Sequence, residues 1–100
     1  MNTYTQNNEV VVNKSIYFKY ARTINTMYID INSDWTTTYL ITFVKNRIGR
    51  QDIELVKTGQ NTSSSDAEDA GALVGTDMSI VETFGNDWNN NYLAFYIRIL

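Results

Sequence analysis

No cysteine, histidine or proline occurs anywhere in the 100 residues of this chain, and glycine occurs only five times. The missing cysteine excludes disulfide scaffolds, thiolate metal sites and cysteine nucleophiles together. Without histidine, the Ser-His and Cys-His arrangements of nucleophilic catalysis are excluded, along with the commonest general base near neutral pH and the commonest zinc ligand. The absence of proline leaves sheet edges without their usual blunting residue and removes X-Pro isomerisation as a slow folding step. Positive charge is scarce as well. Eight Lys and Arg stand against eleven Asp and Glu, for a net charge of −3, and the eight are scattered, so the basic footprint of a nucleic-acid binder is missing. No stretch reaches the length of a membrane span, and the polar start of the chain lacks a basic region followed by an apolar run. This predicts a protein that stays in the cytoplasm of the producing cell, or in the virion if the chain is viral, with neither nucleic acid nor membrane as partner.

Large apolar side chains are plentiful. Hydrophobic residues make up 43% and aromatic residues 13% of the chain, with seven Tyr, four Phe and two Trp. That is enough to fill the core of one small domain without a metal or a cross-link. Residues 1–8 are polar and without apolar periodicity, which predicts a flexible arm ahead of a single domain over 9–100.

The chain also repeats itself. Asp34-Trp35-Thr36-Thr37-Thr38-Tyr39-Leu40 returns as Asp87-Trp88-Asn89-Asn90-Asn91-Tyr92-Leu93, an offset of 53 residues, and each copy runs on into an apolar segment closed by a base. Read as turn plus strand, the two copies predict two hairpins with D-W tips, over 24–45 and 77–98. Period-two alternation adds strands near 9–12, at 15–21 through Ile16, Phe18 and Tyr20, at 27–31 through Met27, Ile29 and Ile31, and around Ile53 and Leu55. Ser65 with Glu68 three residues on forms a capping box, so one or two helical turns are predicted from Asp66 to Ala70, closed by Gly71. The expected fold is therefore all-β: a small two-sheet antiparallel sandwich of about seven strands, of the immunoglobulin or jelly-roll kind, with one short helical insert near 66–70. A partly open barrel is the alternative.

Candidate contact residues follow from the two copies. As a strand, 39–45 carries apolar residues on both faces, and so does 92–99. Antiparallel sheets usually keep one face wet, so the second face is either covered within the chain or meets a partner. Tyr39, Ile41, Phe43, Tyr92 and Tyr96 are the interface candidates on that second face. Asp34 with Trp35 and Asp87 with Trp88 are possible ligand contacts, since an exposed indole beside a carboxylate can stack on a sugar ring and accept its hydroxyls; equally, each indole can fold back over the core, leaving the Asp as a turn residue. The acidic residues Asp66, Glu68, Asp69 and Asp77 match no EF-hand spacing, and a capped helical turn accounts for them without calcium. No polar constellation surrounds any carboxylate pair as a glycosidase-like site would require. Asn13-Lys14-Ser15 and Asn61-Thr62-Ser63 fit the glycosylation pattern by chance, and Gly71 to Gly75 lacks the Lys-Ser or Lys-Thr of a phosphate loop.

No catalytic residue, metal ligand or cofactor is expected. The function expected from this pattern is non-enzymatic: a structural or interaction protein, such as a virion accessory that decorates a capsid or tail, or an inhibitor, working by protein-protein contact or self-assembly. A carbohydrate-binding module using Trp35 and Trp88 is the alternative.

Overall fold

The computed structural model describes residues 12–20, 25–58, 71–88 and 93–100. Over these residues the order of elements is β1 (Asn13–Tyr20), β2 (Thr26–Asn32), α1 (Thr37–Ile48), β3 (Ile53–Thr58), α2 (Ile80–Phe84), a 3₁₀ turn (Gly85–Trp88) and β4 (Ala94–Ile99). The expected arm over 1–8, the glycosylation-like Asn61-Thr62-Ser63 and the insert at 66–70 lie outside the described residues. No helix among the described residues is long and apolar enough to cross a membrane.

The four strands form one mixed sheet in the order β2-β1-β4-β3. β1 pairs antiparallel with β2 and parallel with β4, and β4 pairs antiparallel with β3. This corrects the expected fold: the described residues form a small α/β fold with one mixed sheet and two short helices, not a two-sheet sandwich of about seven strands. Both segments expected to complete the D-W hairpins are responsible. Residues 37–45 are helical instead of a returning strand, and the strand expected over 77–84 is replaced by α2.

The physical reasons are local. In the first segment, Thr37, Leu40 and Val44 are buried and Ile41 and Ile48 pack against the core from its margin. The spacing 37, 40, 41, 44, 48 is that of one helix face, so the second apolar face that a strand would have had to cover becomes a flank of the helix. Thr36 caps the start, its hydroxyl accepting from the Tyr39 N–H at 3.0 Å; Gly49 closes the end in the left-handed region at φ 81°, and Lys45 and Arg47 lie in the last turn, where the helix dipole favours cations. For α2 the signal is Ser79-Ile80-Val81-Glu82. The Ser79 hydroxyl accepts from the Glu82 N–H, and Glu82 accepts from the Ser79 N–H, a reciprocal capping box.

The core lies between the sheet and the helices. Ile16 and Phe18 of β1, Ile29 and Ile31 of β2, Ile53 and Leu55 of β3 and Phe95 and Ile97 of β4 meet Leu40, Val44, Ile80 and Trp88. Phe95 is fully buried, stacked on Phe18 at 5.1 Å between ring centroids and edge-on to Phe84 at 5.7 Å. β4 is buried on both faces from Ala94 to Ile97, and its edges are paired with β1 on one side and β3 on the other.

Candidate aromatic contact face on α1

The turn Asn32-Ser33-Asp34 forms as expected from its residue types, with the Asp34 N–H donating to Asn32 Oδ1 at 2.7 Å. It leads into a helix, and that changes what the following side chains do. Tyr39 and Phe43 stand one turn apart in a row on α1, and Trp35, which precedes the Thr36 cap, packs on the flank of that row against both rings. The ring centroids of Trp35 lie 4.7 Å from Tyr39 and 4.8 Å from Phe43, and Tyr39 and Phe43 are 6.4 Å apart at an interplanar angle of 21°. Trp35 and Phe43 pack against the core along one edge. Tyr39 stands 52% exposed at the crest of the row.

The N-terminal turn of α1 is held by the segment that precedes α2. The N–H groups of Thr37 and Thr38 donate to the carbonyls of Met78 and Thr76, the Ile80 N–H donates to the Trp35 carbonyl at 2.7 Å, and the Thr37 hydroxyl accepts from the Thr76 N–H at 2.6 Å. The free N–H groups at the start of each helix are thereby satisfied by the other's approach segment. This clamp fixes the first turn of α1, and it brings exposed Met78 beside that turn. Met78 does not stand out in the sequence as a contact candidate. The i, i+4 spacing of Tyr39 and Phe43 is the signal that finds the row, but only once the segment is read at the helical period.

The remaining site candidates are dispersed. Asp34 is exposed immediately before the row. Ile41 turns away from Tyr39 and Phe43 and packs half-buried against the core. Trp88 is only 3% exposed; Lys14 lies over its ring at 5.9 Å and donates to its carbonyl. Asp87 pairs with Lys57 at 2.8 Å. The two D-W copies therefore occupy different environments, one at the start of an exposed aromatic row and one in the core, and the hairpin equivalence expected from the echo does not hold. Tyr96 is 2% exposed on the sheet face away from the helices, with the Lys19 ammonium 5.5 Å over its ring. Tyr92 lies outside the described residues.

Comparison with protein-family models, curated proteins and solved structures finds no match.

Among the described residues no group of three His, Cys, Asp or Glu side chains could hold a metal ion; Asp77 is exposed, while Asp66, Glu68 and Asp69 lie outside the described residues. Two carboxylates carry perturbed acidity, and each has a local structural cause. Hydrogen bonds from the Ser79 N–H and hydroxyl hold the Glu82 carboxyl below its usual range. The bidentate grip of Arg50 on Asp52, at 2.9 and 2.7 Å, pulls that carboxyl down to about 2.

Proposed function

We propose that this protein is a non-enzymatic interaction protein and that it acts through the aromatic row of α1. The observation that carries the reading is the group of Trp35, Tyr39 and Phe43, with the Tyr39 ring exposed over half-buried Trp35 and Phe43, on a helix whose other face is anchored in the core. Rigid aromatic side chains supply large contact area at low entropic cost and concentrate binding energy in protein interfaces. Tyr39 has the further property of such anchors, an apolar ring with a polar tip. The absence of histidine and cysteine from the whole sequence points the same way. Assembly, decoration of a virion, or inhibition of another protein would all use a surface of this kind.

The test is to place a photo-reactive benzophenone at the crest, as Tyr39→p-benzoylphenylalanine, and irradiate the producing cells. The contact reading expects one dominant adduct of defined mass that disappears when the benzophenone is moved to exposed Thr26 on β2. Equal labelling from both positions would show that the row has no special affinity and would remove the reading. The carbohydrate alternative keeps one supporting observation, half-buried Trp35 between exposed Asp34 and Tyr39. It expects a shift of Trp35 fluorescence on titration with oligosaccharides, and no protein adduct.

A further inference from the structure

We infer that α1 is a conditional helix: contacts from 75–76 keep residues 37–44 helical against the preference of their own side chains, and when those contacts open the segment stacks with the same segment of other copies as cross-β. The inference concerns the backbone of the segment and stands apart from what the Tyr39 ring contacts. From Trp35 to Val44 no residue is charged, Gly or Pro, and every one except Leu40 is β-branched or aromatic. Such side chains lose rotamer freedom against the preceding helical turn, whereas they pack well on a pleated surface. Even good helix formers are marginal in water at the 12-residue length of α1. An uncharged run of strand-favouring residues without Gly or Pro is also the composition from which dry, interdigitated cross-β interfaces are built. The helix is therefore owed to its surroundings, the core that takes Leu40 and Val44 and the clamp at its first turn.

The entrance to α1 is already strand. Thr36 is extended at φ −79° and ψ 163° and forms an antiparallel β-bridge with Ser79, closed by the Thr37 N–H donating to the Met78 carbonyl at 3.2 Å and the Ile80 N–H donating to the Trp35 carbonyl at 2.7 Å. Extended backbone thus adjoins the segment, so conversion prolongs an existing stretch. The contacts from 75–76 begin one residue later: the Thr37 hydroxyl accepts from the Thr76 N–H at 2.6 Å, and the Thr38 N–H and hydroxyl donate to the Thr76 carbonyl at 3.5 and 3.3 Å. They satisfy first-turn donors that a helix leaves unpaired. Their approach depends on the missing side chain of Gly75, where a Cβ would stand 2.7 Å from Thr38 Oγ1. Gly75→Ala therefore pushes 75–76 off the first turn while leaving every residue of α1 and of the core unchanged. Thr42 offers the opposite lever. It is exposed on the outer flank of α1, where a lysine suits the helix, but a charge does not suit a dry stacked interface.

The experiment incubates the full chain at about 100 μM, within the range where opened segments meet, in urea below the unfolding midpoint. Thioflavin T fluorescence, fibre diffraction and deuterium exchange are followed for the wild type, Gly75→Ala, Thr42→Lys and the double variant. The wild type is expected to form fibres with a strand spacing of about 4.7 Å and protected amides over 36–44. Gly75→Ala should shorten the lag about fivefold or more, and Thr42→Lys should lengthen it by a similar factor in either background, as a change of that size in the open population would. The melting temperature of the double variant is expected to stay at that of Gly75→Ala, which separates the segment's own part from general destabilisation. A wild type that forms no fibres, whether it stays helical or goes to coil, overturns the inference. So do fibres whose protected core leaves out 36–44, and a lag that either substitution leaves unmoved. Should Gly75→Ala fail to fold, wild type against Thr42→Lys carries the same comparison. A benzophenone adduct from position 39 with no fibres keeps the contact function and removes the conditional helix; fibres with no adduct do the reverse.

Discussion

At the scale of single residues, what matters is whether an aromatic ring is enclosed or merely edged by the core. Phe95 is enclosed, with ring partners in Phe18 and Phe84, so Phe95→Ala is expected to cost about 3–5 kcal/mol in a denaturant melt, a large share of the stability of a domain this size. Tyr39 is edged. Its truncation forfeits the ring contacts with Trp35 and Phe43, and Tyr39→Ala is expected to cost about 0.5–1.5 kcal/mol while abolishing association. A melt beside a sedimentation run separates the two: if Tyr39→Ala destabilises as much as Phe95→Ala, the row is core and the contact surface lies elsewhere. Tyr96 belongs with the first group. Being buried, it is expected on Tyr96→Ala to lose stability, by about 2–4 kcal/mol, and not association alone.

At the scale of elements, the mutual clamp between α1 and the approach to α2 ties the two helices together. Ser79→Ala removes the acceptor at the α2 N-cap and is expected to cost about 0.5–2 kcal/mol, seen as a lower denaturant midpoint at unchanged slope. The same box makes a pH prediction. Because the folded-state acidity of Glu82 is depressed, its contribution is present above the ordinary carboxylate range and is lost as pH falls through the folded value. Glu82→Gln is therefore expected to flatten the acid limb of the melting curve below about pH 4.3, the ordinary glutamate value, and to leave its shape near neutrality unchanged. Asp52 acts in the same direction down to about 2. The Arg50–Asp52 pair is exposed, and Asp52→Asn is expected to move the neutral melting temperature little.

At the scale of the whole molecule, the mixed sheet makes a statement about local stability. β1 and β4 are central, and β2 and β3 flank them. Amide exchange is expected to be slowest at Phe18 and Ile97, whose strands are paired on both sides, and faster along β2. Uniform protection across the four strands would contradict that order. The far-ultraviolet dichroism should also carry a helical component from α1, which a sandwich of about seven strands would lack.

Much of this organisation is written in the chain itself. The alternation of Ile16 with Phe18 and of Ile29 with Ile31, the turn at Asn32-Ser33-Asp34, and the apolar run from Leu93 to Ile99 locate β1, β2 and β4, because period-two burial and turn chemistry are properties of a few adjacent residues. The capping box Ser79-Glu82 was equally legible but lies within an apolar stretch that also suits a strand. For 37–48, residue types and periodicity pull apart: Thr, Tyr, Ile, Phe and Val favour strands, while the positions 37, 40, 41, 44 and 48 favour a helix. Tertiary structure decided between them. One face of the sheet presents Ile16, Phe18, Ile29, Ile31, Phe95 and Ile97, a helix could bury Leu40 and Val44 against it, and the carbonyls of Thr76 and Met78 stood ready to satisfy the first turn. The same decision divided the two D-W copies. Two stretches that share Asp, Trp, Tyr and Leu at matching positions met different surroundings, so Trp35 stayed half-buried beside Tyr39 and Phe43 while Trp88 was drawn into the core, since burial depends on which surfaces distant segments leave open and not on the seven residues alone.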